Sequence, residues 1–125
     1  MGQVKLIVSN WKMNLNLLNS KNLIDDILKI RHSESFKHII CPQHLLIPSI
    51  SGLLRDSKII IGAQDCHYEK NGAFTGDTGV DLLKDYDCEY VILGHSERRN
   101  YHKEDNKLIK KKVDLVISAN LKPII

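Results

Sequence analysis

Short β-branched apolar runs recur along the chain at Val4–Val8, His38–Cys41, Lys58–Ile61 and Glu89–Leu93, and another opens at Lys122-Pro123-Ile124-Ile125. Between them the apolar residues fall at helical spacing. Leu23, Ile24, Ile27 and Leu28 form one stripe behind Asn19 or Ser20 as a cap, and Pro48 suits the first turn of a second helix carrying Ile50, Leu53 and Leu54. A shorter helix is predicted from Val80 to Lys84. A fourth begins near Glu104-Asp105, with Leu108, Ile109, Val113, Val116 and Ile117 inward and its lysines late, where the helix dipole favours them. Strand and helix in strict alternation is the pattern of βα units on a parallel sheet.

Two of the strand-like runs end abruptly in side chains capable of chemistry. The first hands over to Ser9-Asn10-Trp11-Lys12-Met13-Asn14, and the fourth to Gly94-His95-Ser96-Glu97-Arg98-Arg99. In a parallel sheet both segments lie at the carboxyl edge, which places an amide, an ammonium, an imidazole and a carboxylate together. His95 is followed by polar residues able to start a helical turn, a setting that favours a neutral ring. Taken singly these residues say little. A lysine after a strand is usually solvated surface, Glu97 could pair with Arg98 or Arg99 as an exposed ion pair of little worth, and His32, His38, His44, His67 and His102 each read as ordinary loop histidines. The segment from Cys66 to Thr78 carries Asn71, Gly72 and Gly76, with Gly79 close by and only Phe74 as a large apolar side chain, and reads as an exposed functional loop.

Composition narrows the class further. With 42% hydrophobic and 26% charged residues, the 125 residues read as one soluble domain, residues 1–125. The net charge of +3 would help draw in a small anionic ligand but is too small to argue from. The one dense basic run, Lys110-Lys111-Lys112, has no interleaved aromatic residues and reads as a solvated helix face, so no nucleic-acid contact is expected. Cys41, Cys66 and Cys88 show neither disulfide-framework nor zinc-knuckle spacing, which points to reduced thiols in the cytoplasm. Nothing at ligand spacing completes Cys66-His67, so no metal is expected. The first residues lack a myristoylation signal, no export signal is visible, and no apolar run approaches membrane-spanning length.

Asn10-Trp11-Lys12-Met13-Asn14, Gly62-Ala63-Gln64-Asp65, Gly72-Ala73-Phe74-Thr75-Gly76 and Gly94-His95-Ser96-Glu97, in that order, resemble the triosephosphate isomerase family. The resemblance covers essentially all 125 residues. It implies an α/β fold: a truncated (β/α)8 barrel, with four βα units and the start of strand five out of a barrel of roughly 250 residues. It also implies interconversion of dihydroxyacetone phosphate and glyceraldehyde 3-phosphate through an enediolate, without a cofactor. Asn10 and Lys12 would contact substrate, His95 would be the electrophile, Glu97 would pair with Lys12, and Ser96 would stand behind them. The glycine-rich loop is similar to the family's dimer loop, which inserts its threonine, here Thr75, beside the neighbour's amide, lysine and histidine, with Gln64 and Asp65 receiving or supporting that contact. A homodimer or a complementing second half-barrel is therefore the expected partner.

Two departures stand out. Leu15 replaces a glycine usual after the second asparagine, and Asp77-Thr78-Gly79 replaces an acidic-aliphatic-serine sequence. The family's base glutamate, lid loop and phosphate-holding glycines have no counterpart here, and neither Glu69, Glu89 nor Glu104 suggests a substitute, so the chain is not expected to turn over substrate alone. A non-catalytic remnant or interaction half-barrel is the alternative. An open flavodoxin-like domain ranks last, because the loop after the first strand has no glycine or serine cradle for a phosphate.

Overall fold

The computed structural model describes residues 2–125. Five strands, β1 (Lys5–Asn10), β2 (Phe36–Cys41), β3 (Ile60–Ala63), β4 (Tyr90–Ile92) and β5 (Lys122–Ile124), form one sheet in chain order, and every neighbouring pair is parallel. Helices α1 (Leu17–Leu28), α2 (Ile47–Leu54), α3 (Val80–Asp85), α4 (Ser96–Tyr101) and α5 (Asn106–Ser118) fill the connections, and a 3-10 turn, His44–Leu46, precedes α2. This is the first half of a (β/α)8 barrel sheet, curled with its helices outside.

The period of two along each strand sorts side chains onto two faces. Ile40, Ile61, Ala63 and Val91 face the helices and pack with Ile24 of α1, Ile47, Ile50 and Leu54 of α2, Val80 and Leu83 of α3 and Val116 of α5. Ile39, Cys41, Tyr90 and Ile92 share the inner face with Val8, Ile60 and Ile124. Gly62 belongs to that inner layer because nothing larger fits: a Cβ there would stand 2.7 Å from Cys41 Sγ. All three cysteines are free and buried, and burial pushes each thiol up to about 12, so none is a ready nucleophile.

The elements differ from the expected ones where local chemistry outweighed the apolar pattern. Helix α1 starts three to four residues early because Asn16, in extended conformation, accepts the Asn19 N–H through its side chain at 2.9 Å, leaving Asn19 and Ser20 inside the helix. In α2 Pro48 sits in the first turn as expected, and Ile50 and Leu54 are buried, but Leu53 points outward. Strand β3 begins later than Lys58 and runs through Gly62-Ala63. In α5 the inward positions are Ile109, Lys112 and Val116, a spacing of three and four, so Ile117 is left outside at 56% exposure. Lys112 corrects the reading of the basic run: Lys110 and Lys111 are solvated, but the third lysine is buried.

Among the described residues strand β1 pairs on one side only, and Leu6 and Ile7 in it, with Val4 just before it, are about half exposed. On the helix-facing side of β1 and β2, Ser9 Oγ meets His38 Nε2 at 2.8 Å, and the His32 ring lies 5.8 Å from that of His38. Burial, helped by the charge of His32, lowers His38 from the ordinary value of 6.5. The unfolded chain therefore takes up this proton first as the pH falls, so stability is full above the ordinary value and is lost as the pH drops toward the depressed folded value. Urea midpoints measured at about pH 7.5 and about pH 5.5 should show that loss, and His38→Gln should make it smaller; an equal fall in both proteins would contradict the assignment.

Candidate active site

The loop after β1 is built from side chains that stand in for missing backbone partners. Asn10 ends the strand, and its Oδ1 accepts the Lys12 N–H at 2.9 Å. Asn14 Nδ2 donates to the Trp11 carbonyl at 3.0 Å, and Asn16 caps α1. Trp11 is buried and anchors the loop in the core, while Met13 next to it is 86% exposed. Lys12 itself has φ +54° and Leu15 φ +73°, both in the left-handed region that side chains with a Cβ rarely adopt.

The loop after β4 turns at Gly94, whose φ is +63° and whose missing Cβ leaves room for Ile109 Cδ1 at 2.8 Å. Arg99 braces that turn, donating through Nε to the Gly94 carbonyl at 2.7 Å and through Nη1 to Asn106 Oδ1 at 2.7 Å. His95 then caps α4, its Nδ1 accepting the Glu97 N–H at 3.1 Å. An imidazole that accepts at Nδ1 carries its proton on Nε2, so the ring is set up as a hydrogen-bond donor.

Glu97 Oε1 lies 2.6 Å from Lys12 Nζ, which joins the two loops across the sheet edge. The hydrogen bond from Lys12 holds the Glu97 carboxyl below its ordinary value. Both side chains are about half exposed, so the pair adds little stability, and its consequence is to fix where the ammonium stands. Arg98 and Arg99, the other possible partners of Glu97, are engaged elsewhere.

Asn10, Lys12, Gln64, His95 and Glu97 line one cleft of about 810 Å³ over the carboxyl ends of the strands. Ser96 is exposed at the start of α4 and does not line it, and Thr75 stands exposed at the tip of the glycine-rich loop, with Gly76, Asp77 and Thr78 reaching the cleft in its place. Gln64 donates through Nε2 to the carbonyls of Lys12 and Cys41, both at 2.9 Å. The loop closes on itself: His67 N–H donates to the Thr78 carbonyl at 2.9 Å, His67 Nδ1 meets Asp77 Oδ2 at 2.5 Å, and Phe74 folds back with its ring centroid 3.9 Å from that of His67.

Asp65 and Arg98 in the cleft lining join Lys112 and Glu104 behind them in a ring of four charges. Lys112 Nζ contacts Asp65 Oδ1 at 2.9 Å and Glu104 Oε1, while Arg98 reaches Glu104 Oε2 at 2.6 Å and Asp65 Oδ2 at 3.1 Å. Two cations and two anions from β3's end, α4, the α4–α5 turn and α5 thus satisfy one another. Burial works to raise the Glu104 carboxyl, but the Lys112 ammonium and the Arg98 guanidinium hold it below the usual value. Pattern reading missed Lys112, Glu104 and Arg98 because a charge on a helix or in a turn is solvated by default, and only the phase of α5 relative to Asp65 turns Lys112 inward. It missed His44 as well, whose Nδ1 meets Thr78 Oγ1 at 2.9 Å.

Removing one member of a buried ion cluster leaves the others uncompensated. Lys112→Met should cost about 3–5 kcal/mol in urea unfolding, whereas Lys110→Met, which breaks only an exposed pair with Asp114, should cost about 0.5 kcal/mol or less. Similar losses for the two would show that the ring is not the structural element described.

Known proteins match this sequence over nearly all of its length. The family model for triosephosphate isomerase matches residues 5–125. The triosephosphate isomerase of Aquifex aeolicus is 40% identical over 122 residues, covering 97% of this chain and 49% of the relative. That of Dictyoglomus thermophilum is 40% identical over 121 residues, 96% of this chain and 49% of the relative, and that of Finegoldia magna 39% over 120 residues, 96% and 48%. The chain therefore spans about half the length of the curated relatives it matches. With the parallel half-barrel and its strand-end cleft in the same order as the matched motifs, the chain belongs to the triosephosphate isomerase family.

Proposed function

We propose that these 125 residues carry the electrophilic half of a triosephosphate isomerase site, acting on a small phosphorylated triose in the cytoplasm. The observation that carries this reading is the convergence of Lys12 Nζ and the His95 ring on one cleft, with Glu97 bridging to the lysine and an imidazole nitrogen free to donate. An ammonium beside a neutral imidazole suits a substrate with an anionic end and a carbonyl. The imidazole N–H stabilises the oxygen as charge builds on it when the neighbouring carbon loses a proton, and Lys12 and Asn10 hold the rest of the molecule.

The base that removes the proton comes from outside these residues. Glu97 is paired with Lys12 and Glu104 with Arg98 and Lys112, Glu34 and Glu89 pair with lysines away from the cleft, and Glu69 is exposed in the glycine-rich loop and does not line the cleft. A general base alone contributes roughly 100- to 10,000-fold to such a step, so the chain by itself has a cation and an electrophile without turnover.

A partner completes the reading. The cleft is bordered by exposed Met13 and Tyr101, with exposed Leu45 next to His44 and the Thr75 loop standing out from the same edge. A second copy inserting its Thr75 loop is supported by that apolar rim, and a complementing half-barrel by the single-sided β1 with its exposed apolar residues.

In a coupled isomerase assay the purified chain should give no turnover above buffer. Activity should appear on adding the C-terminal half of the Aquifex aeolicus relative, and His95→Gln or Lys12→Ala should abolish it. Robust turnover by the chain alone, lost in either variant, would overturn the assignment of the base. In sedimentation the chain should associate, and Thr75→Arg should weaken that association; a compact monomer at every concentration would remove the homodimer.

A further inference from the structure

The loop that carries Lys12 holds two residues in the left-handed region, Lys12 at φ +54° and Leu15 at φ +73°. Neither is a glycine, and neither is an asparagine or aspartate that could relieve the conformation through its own side chain. Such a backbone persists only where its surroundings over-determine it. Two glutamines at equivalent places, Gln43 just after β2 and Gln64 just after β3, supply that determination. Each spends both amide hydrogens on main-chain carbonyls. Gln64 Nε2 donates to Lys12 O and Cys41 O, both at 2.9 Å, and Gln43 Nε2 donates to Asn14 O at 3.0 Å and Leu15 O at 3.3 Å. The carbonyl of each left-handed residue is thus held by a different glutamine. The Cys41 carbonyl that takes one Gln64 hydrogen also takes the Trp11 N–H at 3.0 Å, so the clamp ties the loop to the ends of β1, β2 and β3 together.

We propose that Gln43 and Gln64 are positioning residues for Lys12: they hold the β1–α1 loop in its unfavourable conformation and thereby set where the ammonium stands relative to Glu97 and His95. This rests on the reading of Lys12 as the anion-holding cation and adds the means by which it is held. Gln64 acts directly, through the peptide of Lys12. Gln43 acts at the other end of the loop, and it is needed because Leu15 occupies a glycine-type conformation. A glutamine suits the task because its NH2 group bridges two carbonyls at once, which a hydroxyl cannot do and a carboxylate would oppose.

The sensor for this placement is Glu97, whose carboxyl is lowered by the bond from Lys12. Carbon-13 NMR titration of Glu97 in the 125-residue chain should show its midpoint moving up toward the ordinary value in Gln64→Met, which keeps size but donates nothing. Inorganic phosphate should bind that variant roughly five- to tenfold more weakly than the parent, the worth of about one neutral hydrogen bond. Gln43→Met should raise amide exchange at the end of the loop, around residue 15, in the parent background and have little effect in a Leu15→Gly background, where the conformation at position 15 is no longer strained. Should Gln64→Met fail to fold, Gln64→Asn keeps the amide, shortens its reach and carries the same expectation.

An unchanged Glu97 midpoint in the folded Gln64 variants, or an equal effect of Gln43→Met with and without Leu15→Gly, would overturn the proposal. If the parent chain takes up no phosphate, the anion-holding reading of Lys12 fails. The Glu97 titration and the exchange rates then still decide whether the glutamines hold the loop.

Discussion

Parallel strands present all their carboxyl ends on one edge of the sheet, and the organisation of this chain follows from that constraint. Because β1 and β4 run the same way, the loops that follow them meet although 85 positions separate Lys12 from Glu97. The helices take up the outer face, which leaves the strand-end edge free of packing duties. Polar side chains collect there because the loops need them to replace ladder hydrogen bonds. The same groups, turned slightly outward, are those able to hold a ligand.

Holding that edge in shape takes more than the sheet. On one side the loop carrying Lys12 depends on amide side chains, from Asn10 and Asn14 beside it and from Gln43 and Gln64 just beyond the ends of β2 and β3. On the other, α4 and its His95 rest on the ring formed by Arg98, Glu104, Lys112 and Asp65. The two supports differ in kind. Neutral amides fix geometry at little desolvation cost, whereas buried charges are worth little net stability but make any change of partner expensive. Both resist displacement, and neither adds the apolar burial that holds the helices to the sheet.

The inner face and the β1 edge show the complementary property. Leu6, Val8, Ile60 and Ile124 on the inner face are only partly covered, unlike the fully buried Ile39 and Cys41 beside them, and among the described residues β1 has a neighbour on one side only. The helix-covered face differs, for there Ile24, Ile40, Val80 and Val116 are wholly buried.

The residues alone determined a great deal here. Alternation of strand and helix gave the parallel sheet. The abrupt ends of two apolar runs gave Asn10, Lys12, His95 and Glu97 as neighbours, because period and strand direction are local properties that any parallel arrangement converts into proximity. Three things were decided only by the tertiary structure. Asn16, in place of Asn19 or Ser20, became the helix cap because capping depends on the backbone angle at one residue. Lys112 went inward and Ile117 outward because the phase of α5 is set by what lies across from it, and Asp65 with Glu104 made a buried ammonium acceptable where a stripe of apolar residues would have predicted isoleucine. Gln43 and Gln64 became loop clamps because a left-handed φ at Lys12 and Leu15 leaves no mark in the residue types that adopt it. Local pattern fixes which elements form and which way they point; long-range hydrogen bonds and charge pairs, which require two distant residues to be placed at once, fix how the site is held.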